Sequence, residues 1–179
     1  MKIALFGGSF DPPHLGHNEI VKQSLKHLNI DKLIIMPTFI SLFKTKITAN
    51  EKLRLFWINK LWGNLKKVEI CDFEIKQNRP VPSFESVIYI KSLLKPSKFY
   101  LIIGADHLEN LHLWHNFEEL KKNVDFIIAS RNNINIPSEF QTLKINCNIS
   151  SSEIRQGFKH EAISDIIKEE VKEYYAKFI

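Results

Sequence analysis

Apolar residues fall in two patterns along this chain. Four short runs, Lys2–Phe6, Leu33–Met36, Phe99–Ile103 and Val124–Ala129, are apolar almost without a break. Strands buried on both faces have that pattern, and they belong to parallel sheets covered by helices. Elsewhere the apolar spacing is helical. Gly16–Leu28 puts Ile20, Val21, Leu25 and Leu28 on one face. Thr48 or Asn50 can cap a helix running to about Leu61, and Ser83–Leu94 and Glu118–Lys122 predict two more. Ser150 opens a further helix. Ser164–Phe178 predicts a last amphipathic one, with Ile166, Ile167, Val171, Tyr174, Tyr175 and Phe178 inward. Val68–Ile70 and Leu143–Ile145 predict short strands. Thr38–Thr48 has no period and predicts a loop, and the polar stretch Arg131–Gln141 a surface excursion. The alternation of strand and helix predicts an α/β fold, a doubly wound parallel sheet with helices on both faces. No repeat, linker or low-complexity tract divides the 179 residues, so one domain, 1–179, is expected.

Charge and cysteine usage narrow the picture. With 25 basic and 20 acidic residues the chain carries a net +5. Such a balance suits an anionic ligand without separating a nucleotide from a nucleic acid. Cys71 and Cys147 lie far apart and in no CxxC pattern, so both are expected as buried thiols in a reducing compartment. Gly7 and Gly8 break the first apolar run before it can act as a secretory signal, and no run reaches the roughly 18 apolar residues of a membrane span. A cytoplasmic protein without a membrane partner is expected.

In a doubly wound sheet, ligands sit beyond the carboxyl ends of the strands. That places candidate chemistry just after Phe6, Met36, Ile103 and Ala129. After Phe6 comes GGSFDPPHLGH. Gly7 and Gly8 would let the backbone turn sharply, and the Ser9 and Phe10 amides could then face an anion. The helix that follows would add the partial positive charge of its N-terminus. His14 and His17, three apart, could hydrogen-bond phosphate oxygens. Neither the Walker A nor the GxGxxG pattern is present. In ISSSEIR, Ser150 and Glu153 form a capping box, and Ser151, Ser152 and Arg155 add hydroxyls and a guanidinium. Asp106 can accept from ribose hydroxyls or cap a helix. Trp114 can stack on a ring or pack in the core. His112 and His115 flank it without a third metal ligand, and HLENLH is not the HExxH pattern. Lys44, Lys46, Lys52 and Arg54 form either a solvated face or, for Lys44, a phosphate-neutralising group on a loop.

GGSFDPPHLGH resembles the signature of the HxGH nucleotidylyltransferases. Further motifs resemble the nicotinate-nucleotide adenylyltransferase branch of that family. Lys44 matches its loop lysine, within PTFISLFK, and Arg54 matches its arginine on the next helix. PSFE, Pro82–Glu85, stands where that branch has PSYT. Gly104-Ala105-Asp106 matches its G-x-D, followed by its tryptophan, Trp114, and a late arginine, Arg131. ISSSEIR matches its last motif. The resemblance implies a Rossmann-like fold and direct transfer of AMP from ATP to nicotinate mononucleotide, with Mg2+ carried by ATP and no nucleic acid partner. It implies catalytic roles for His14, His17, Lys44 and Arg155. It implies ATP contacts at Gly7, Gly8, Ser9, Phe10, Asp106, Ile149, Ser151 and Ser152, and acceptor contacts at Thr38, Phe84, Glu85, Trp114 and Arg131. Two positions depart from the family: Phe43 replaces a histidine, and Glu85 replaces a small hydroxyl. A carboxylate at 85 would repel nicotinate if it faced it; recognition by backbone amides would avoid the conflict. Phosphopantetheine adenylyltransferases share the first and last motifs, but usually have threonine where His14 stands and lack the tryptophan. A non-catalytic nucleotide or nucleic-acid binder is the other alternative, although no RNA-binding signature is visible.

Overall fold

The computed structural model describes residues 1–41, 48–131, 134–147, 149–157 and 159–178. Its centre is a six-stranded sheet in which every neighbouring pair is parallel. The strands are β1 (Lys2–Gly8), β2 (Lys32–Pro37), β3 (Val68–Ile70), β4 (Lys98–Gly104), β5 (Asp125–Ala129) and β6 (Gln141–Leu143). Their spatial order is β3-β2-β1-β4-β5-β6. The chain leaves β1 for one edge, then returns to β4 on the other side. The carboxyl ends of β1 and β4 therefore flank the switch point where doubly wound sheets bind ligands.

Helices α1 (Leu15–His27), α2 (Glu51–Trp62), α3 (Phe73–Lys76), α4 (Ser83–Leu94), α5 (Phe117–Asn123), α6 (Ser151–Arg155) and α7 (Lys168–Tyr175) accompany the sheet. Alternate strand residues point to opposite faces. Ile3, Leu5, Ile34, Met36, Leu101 and Ile128 pack with Val87 and Ile90 of α4 and Leu120 of α5. Ala4, Phe6, Leu33, Ile35, Ile102 and Ile127 pack with Val21 of α1 and with Ile58 and Trp62 of α2. Burial on both faces is why these strands lack polar alternation. A third cluster joins Ala49 and Trp57 to Ile154, Ile167, Val171 and Tyr175, fastening the end of the chain beside α2.

The structure departs from the pattern-based expectations in several places. Gly7 and Gly8 belong to β1, paired with Met36 and Pro37. The left-handed residue of the turn that follows is Phe10, at φ 48°. Its ring is buried and lies 3.1 Å from where a Gly8 Cβ would stand. The last helix covers Lys168–Tyr175 only. A turn precedes it and a 3-10 segment, Ala176–Phe178, follows, leaving Ile166 and Phe178 exposed. β6 ends at Leu143, because the Ile145 amide turns to the Ser130 hydroxyl at 2.8 Å. Asn50, not Thr48, caps α2. The four-residue α3 and a 3-10 stretch, Ala105–Leu113, lack a helical period long enough to register in the sequence. No helix among the described residues is long and apolar enough to cross a membrane.

Candidate active site

A cavity of about 750 Å³ opens at the carboxyl ends of β1, β4 and β5, within the size range of small-molecule sites. Gly7 and Gly8, at the end of β1, and Ser9, just after it, line the cavity. Gly104 and Asp106 enter from β4, and Ser130 and Arg131 from β5. The start of α1 brings His14 and His17, the start of α6 brings Ser151 and Ser152, and the start of α4 brings Pro82 and Ser83. Thr38, Ile149, Trp114 and His115 complete the parts the sequence drew attention to.

The two histidines build the N-terminus of α1 themselves. His14 is the N-cap, and its Nδ1 accepts from the amides of Gly16 (3.1 Å) and His17 (3.4 Å). His17 Nδ1 accepts in return from the His14 amide at 3.2 Å. This is a capping box built from imidazoles. With Nδ1 an acceptor, the proton of each neutral ring sits on Nε2. The rings stack at 3.7 Å, and Phe10 supports His17 edge-on at 4.9 Å. His14 Nδ1 thus occupies the first amides of α1, and both histidines line the cavity. The glycine of HLGH has a steric reason. A Cβ on Gly16 would lie 3.0 Å from the His14 ring.

Ser150 and Glu153 form the expected capping box of α6. Lys159 and the Ser150 amide and hydroxyl hold the Glu153 carboxyl down to about 2. Ser151 donates to the Pro12 carbonyl at 3.0 Å. Arg155 donates to the Asp11 carbonyl at 2.7 Å and to the Ser152 hydroxyl at 3.0 Å. Its guanidinium thus ties α6 to the turn after β1 and stands behind the cavity wall, outside the lining residues. Asp106 and Arg131 pair at 3.4 Å, and Arg131 also donates to the Ile149 carbonyl. Gly104 is the residue that allows this. A Cβ there would fall 2.3 Å from Asp106 Oδ1.

Arg54 is almost fully buried. It donates to the carbonyls of Ser9, Thr38, Phe39 and Ala49, all within 3.0 Å. Burial lowers its pKa, and the charge of Asp11 opposes that shift. Asp11 in turn accepts from the Thr48 and Ala49 amides and from Tyr175. The idea that Arg54 belongs to a solvated basic face is thus overturned by four buried carbonyls that need a donor. Lys44, Lys46 and Phe43 lie outside the described residues.

At the acceptor end, Trp114 is partly buried against the core and stands edge-on to His107 at 5.6 Å. Phe84 and Glu85 are not brought to the cavity. Phe84 packs against the core, and Glu85 makes a two-pronged bond to Arg79 at 2.6 and 3.3 Å. That bond holds its carboxyl below the usual range. Sequence reasoning missed Glu74 of α3, which lines the cavity while only 5% exposed. Ser86 donates to its Oε1 at 2.6 Å. Burial pushes its carboxyl up to about 7. The sequence carried no signal for it: a lone glutamate between Phe73 and Ile75, in a segment with no period.

Fold and site together define a nucleotidyltransferase of the doubly wound class. The sequence profile of the cytidylyltransferase-like family matches residues 5–157, and the chain belongs to that family. It is 62% identical over 177 residues to a probable nicotinate-nucleotide adenylyltransferase of Campylobacter jejuni, covering 99% of this chain and 98% of the relative. It is 52% identical over 175 residues to a protein of the same description from Campylobacter fetus, covering 98% and 97%. Among solved structures, the Plasmodium falciparum nicotinic acid mononucleotide adenylyltransferase complexed with APC superposes with a TM-score of 0.73. It is 25% identical, with 99% of this chain and 95% of that chain covered.

Proposed function

We infer that this chain, acting as a single nucleotidylyltransferase domain, transfers AMP from ATP to nicotinate mononucleotide. The products are nicotinate adenine dinucleotide and pyrophosphate. A 5′-phosphate oxygen of the acceptor attacks the α-phosphorus in line, and the bond to the β-phosphate breaks. Such chemistry depends on positioning and charge neutralisation rather than on a protein nucleophile. The observation that carries the reading is the imidazole capping box. It fixes both imidazoles at the start of α1 beside the cavity, and in this reading their Nε2–H groups serve the phosphates.

In this reading His14 and His17 hold the transferring and leaving oxygens. Ser9, Ser151 and Ser152 line the phosphate path, with Gly7 and Gly8 leaving room for it. Asp106 serves the ribose of ATP, and Thr38, Trp114 and Arg131 serve the acceptor. Arg155 works from behind by fixing the Asp11 turn. Lys44 is assigned to phosphate neutralisation on the family resemblance. Among the described residues no three His, Cys, Asp or Glu side chains gather as a cation site. The family resemblance implies that magnesium comes with the triphosphate. Bound there, magnesium would supply positive charge to neutralise the phosphates. The two thiols are half-buried rather than buried as the sequence suggested; partial desolvation raises the pKa of both, and free thiols of this kind suit a reducing cytoplasm.

The test is pyrophosphate release from MgATP, with nicotinate mononucleotide, nicotinamide mononucleotide and 4′-phosphopantetheine as separate acceptors. Turnover with the first is expected, and His17→Ala should lower kcat by about 100-fold or more. Turnover with phosphopantetheine alone would overturn the assignment.

A further inference from the structure

The main-chain bonding of β1 to β2 ends where the Thr38 amide meets the Gly8 carbonyl at 3.0 Å. Beyond that point the chain turns away at Phe10, whose φ is 48°. Arg54 closes the next step with its side chain. Its Nη1 donates to the Ser9 carbonyl at 2.7 Å and to the Thr38 carbonyl at 2.8 Å. Nη2 donates to the Phe39 carbonyl and Nε to the Ala49 carbonyl, both at 3.0 Å. One guanidinium thus holds the end of β1, the end of β2 and the approach to α2. Ser9 and Thr38 line the cavity, whereas Arg54 stands behind them and is 1% exposed.

We propose that Arg54 is a positioning residue that couples the two ends of the cavity, its Nη1 tying Ser9 on the ATP side to Thr38 on the acceptor side. This rests on the adenylyl-transfer reading above and deepens it. A planar guanidinium carries its donors in a rigid fork. Leaving one of them buried without an acceptor is costly. When ATP sets the Ser9 end, the fork follows, and with it the carbonyls of Thr38 and Phe39. A ligand that orders one end therefore prepares the other, and linkage makes the effect reciprocal.

The frame is braced from the other side by a buried anion. Ala49 gives its amide to Asp11 at 2.9 Å and its carbonyl to Arg54. Asp11 and Arg54 thus hold the same residue with opposite charges, and neither touches the other directly. A lysine at 54 would keep the charge that faces Asp11. Its three donors sit on one nitrogen, so it cannot span Ser9, Thr38, Phe39 and Ala49 together. Arg54→Lys therefore removes the link while sparing the charge balance.

The experiment measures the Kd of α,β-methylene-ATP by calorimetry, with and without saturating nicotinate mononucleotide, in the parent and in Arg54→Lys. The ratio of the two Kd values is the coupling factor. Direct contact between the ligands is common to both proteins and cancels when their factors are compared. The parental factor, read as the tightening of α,β-methylene-ATP by the acceptor, is expected to exceed that of the variant by about fivefold or more. Thermal melts record any loss of stability separately. Equal coupling factors overturn the proposal, even in a less stable variant, because Arg54 would then act on the fold alone. A second readout needs no variant and decides the matter where Arg54→Lys does not fold. In 15N NMR of the arginine side chains, the Arg54 Nη1 signal of the parent should shift when either ligand binds alone. A shift with one ligand only, or with neither, overturns the proposal. Absence of turnover of MgATP with nicotinate mononucleotide would overturn the adenylyl-transfer reading instead.

Discussion

The phenol of Tyr175 donates to the carboxylate of Asp11, 164 residues earlier in the chain. Asp11 sits in the turn after β1, and Tyr175 ends α7. The same carboxylate accepts from the Thr48 and Ala49 amides. Three parts of the chain thus converge on one buried acid beside the histidines. The charge of Asp11 and burial together raise the Tyr175 pKa, so the phenol stays protonated as a donor.

Removing that donor should loosen the turn without emptying the core. Tyr175→Phe is expected to lower stability by about 2 kcal/mol, the worth of a buried hydrogen bond to a charged acceptor. The KM for ATP should rise while the KM for the acceptor stays near parental. Urea denaturation and steady-state kinetics check both. Unchanged stability would mean that the two amides alone satisfy Asp11.

Gly16→Ala separates the cap from the chemistry. The new methyl would displace the His14 ring from its two amides. Alanine restores helix propensity at that position, about 1 kcal/mol relative to glycine, and so offsets much of the lost cap. Tm should move little while kcat falls about 100-fold, the scale of a misplaced catalytic group. A parental kcat would show that the His14 ring need not fold back.

Glu85→Thr restores the small hydroxyl of the related motif, and from sequence it would be expected to improve the use of nicotinate over nicotinamide. The geometry reverses that expectation. Glu85 is engaged with Arg79 and lies outside the cavity lining. Half-exposed pairs of this kind contribute little. Both the acceptor ratio and Tm should stay near parental, as read by side-by-side kinetics and thermal melts.

Glu74 also leaves a mark on stability. Its carboxyl is raised from 4.5 to about 7 in the folded chain. The unfolded chain gives up the proton near pH 4.5, the folded one only near pH 7. Between those values the folded state binds more protons, so its stability falls as pH rises and levels off above pH 7. Between pH 4.5 and 8 the parent should lose about 3 kcal/mol more than Glu74→Gln does. Chemical denaturation at each pH measures the difference, and parallel profiles would show that Glu74 is solvated.

The sequence by itself determined the parallel sheet, the ends of most helices and the two flanking motifs of the site. Continuous apolar runs encode strands buried on both faces. ISSSEIR encodes a cap whose partners lie three residues apart, whereas HLGH marked the site without showing that its histidines cap α1. Tertiary structure decided the rest. Arg54 looked like one more surface cation until four carbonyls from three segments closed around it. Glu85 looked like a specificity residue until Arg79 claimed it. Glu74 had no signal at all, because its importance comes from burial and from a hydroxyl twelve residues away. Local patterns report what the backbone does within a turn or two. The desolvation of a charge, and the partner that compensates it, depend on segments that meet only when the chain has folded.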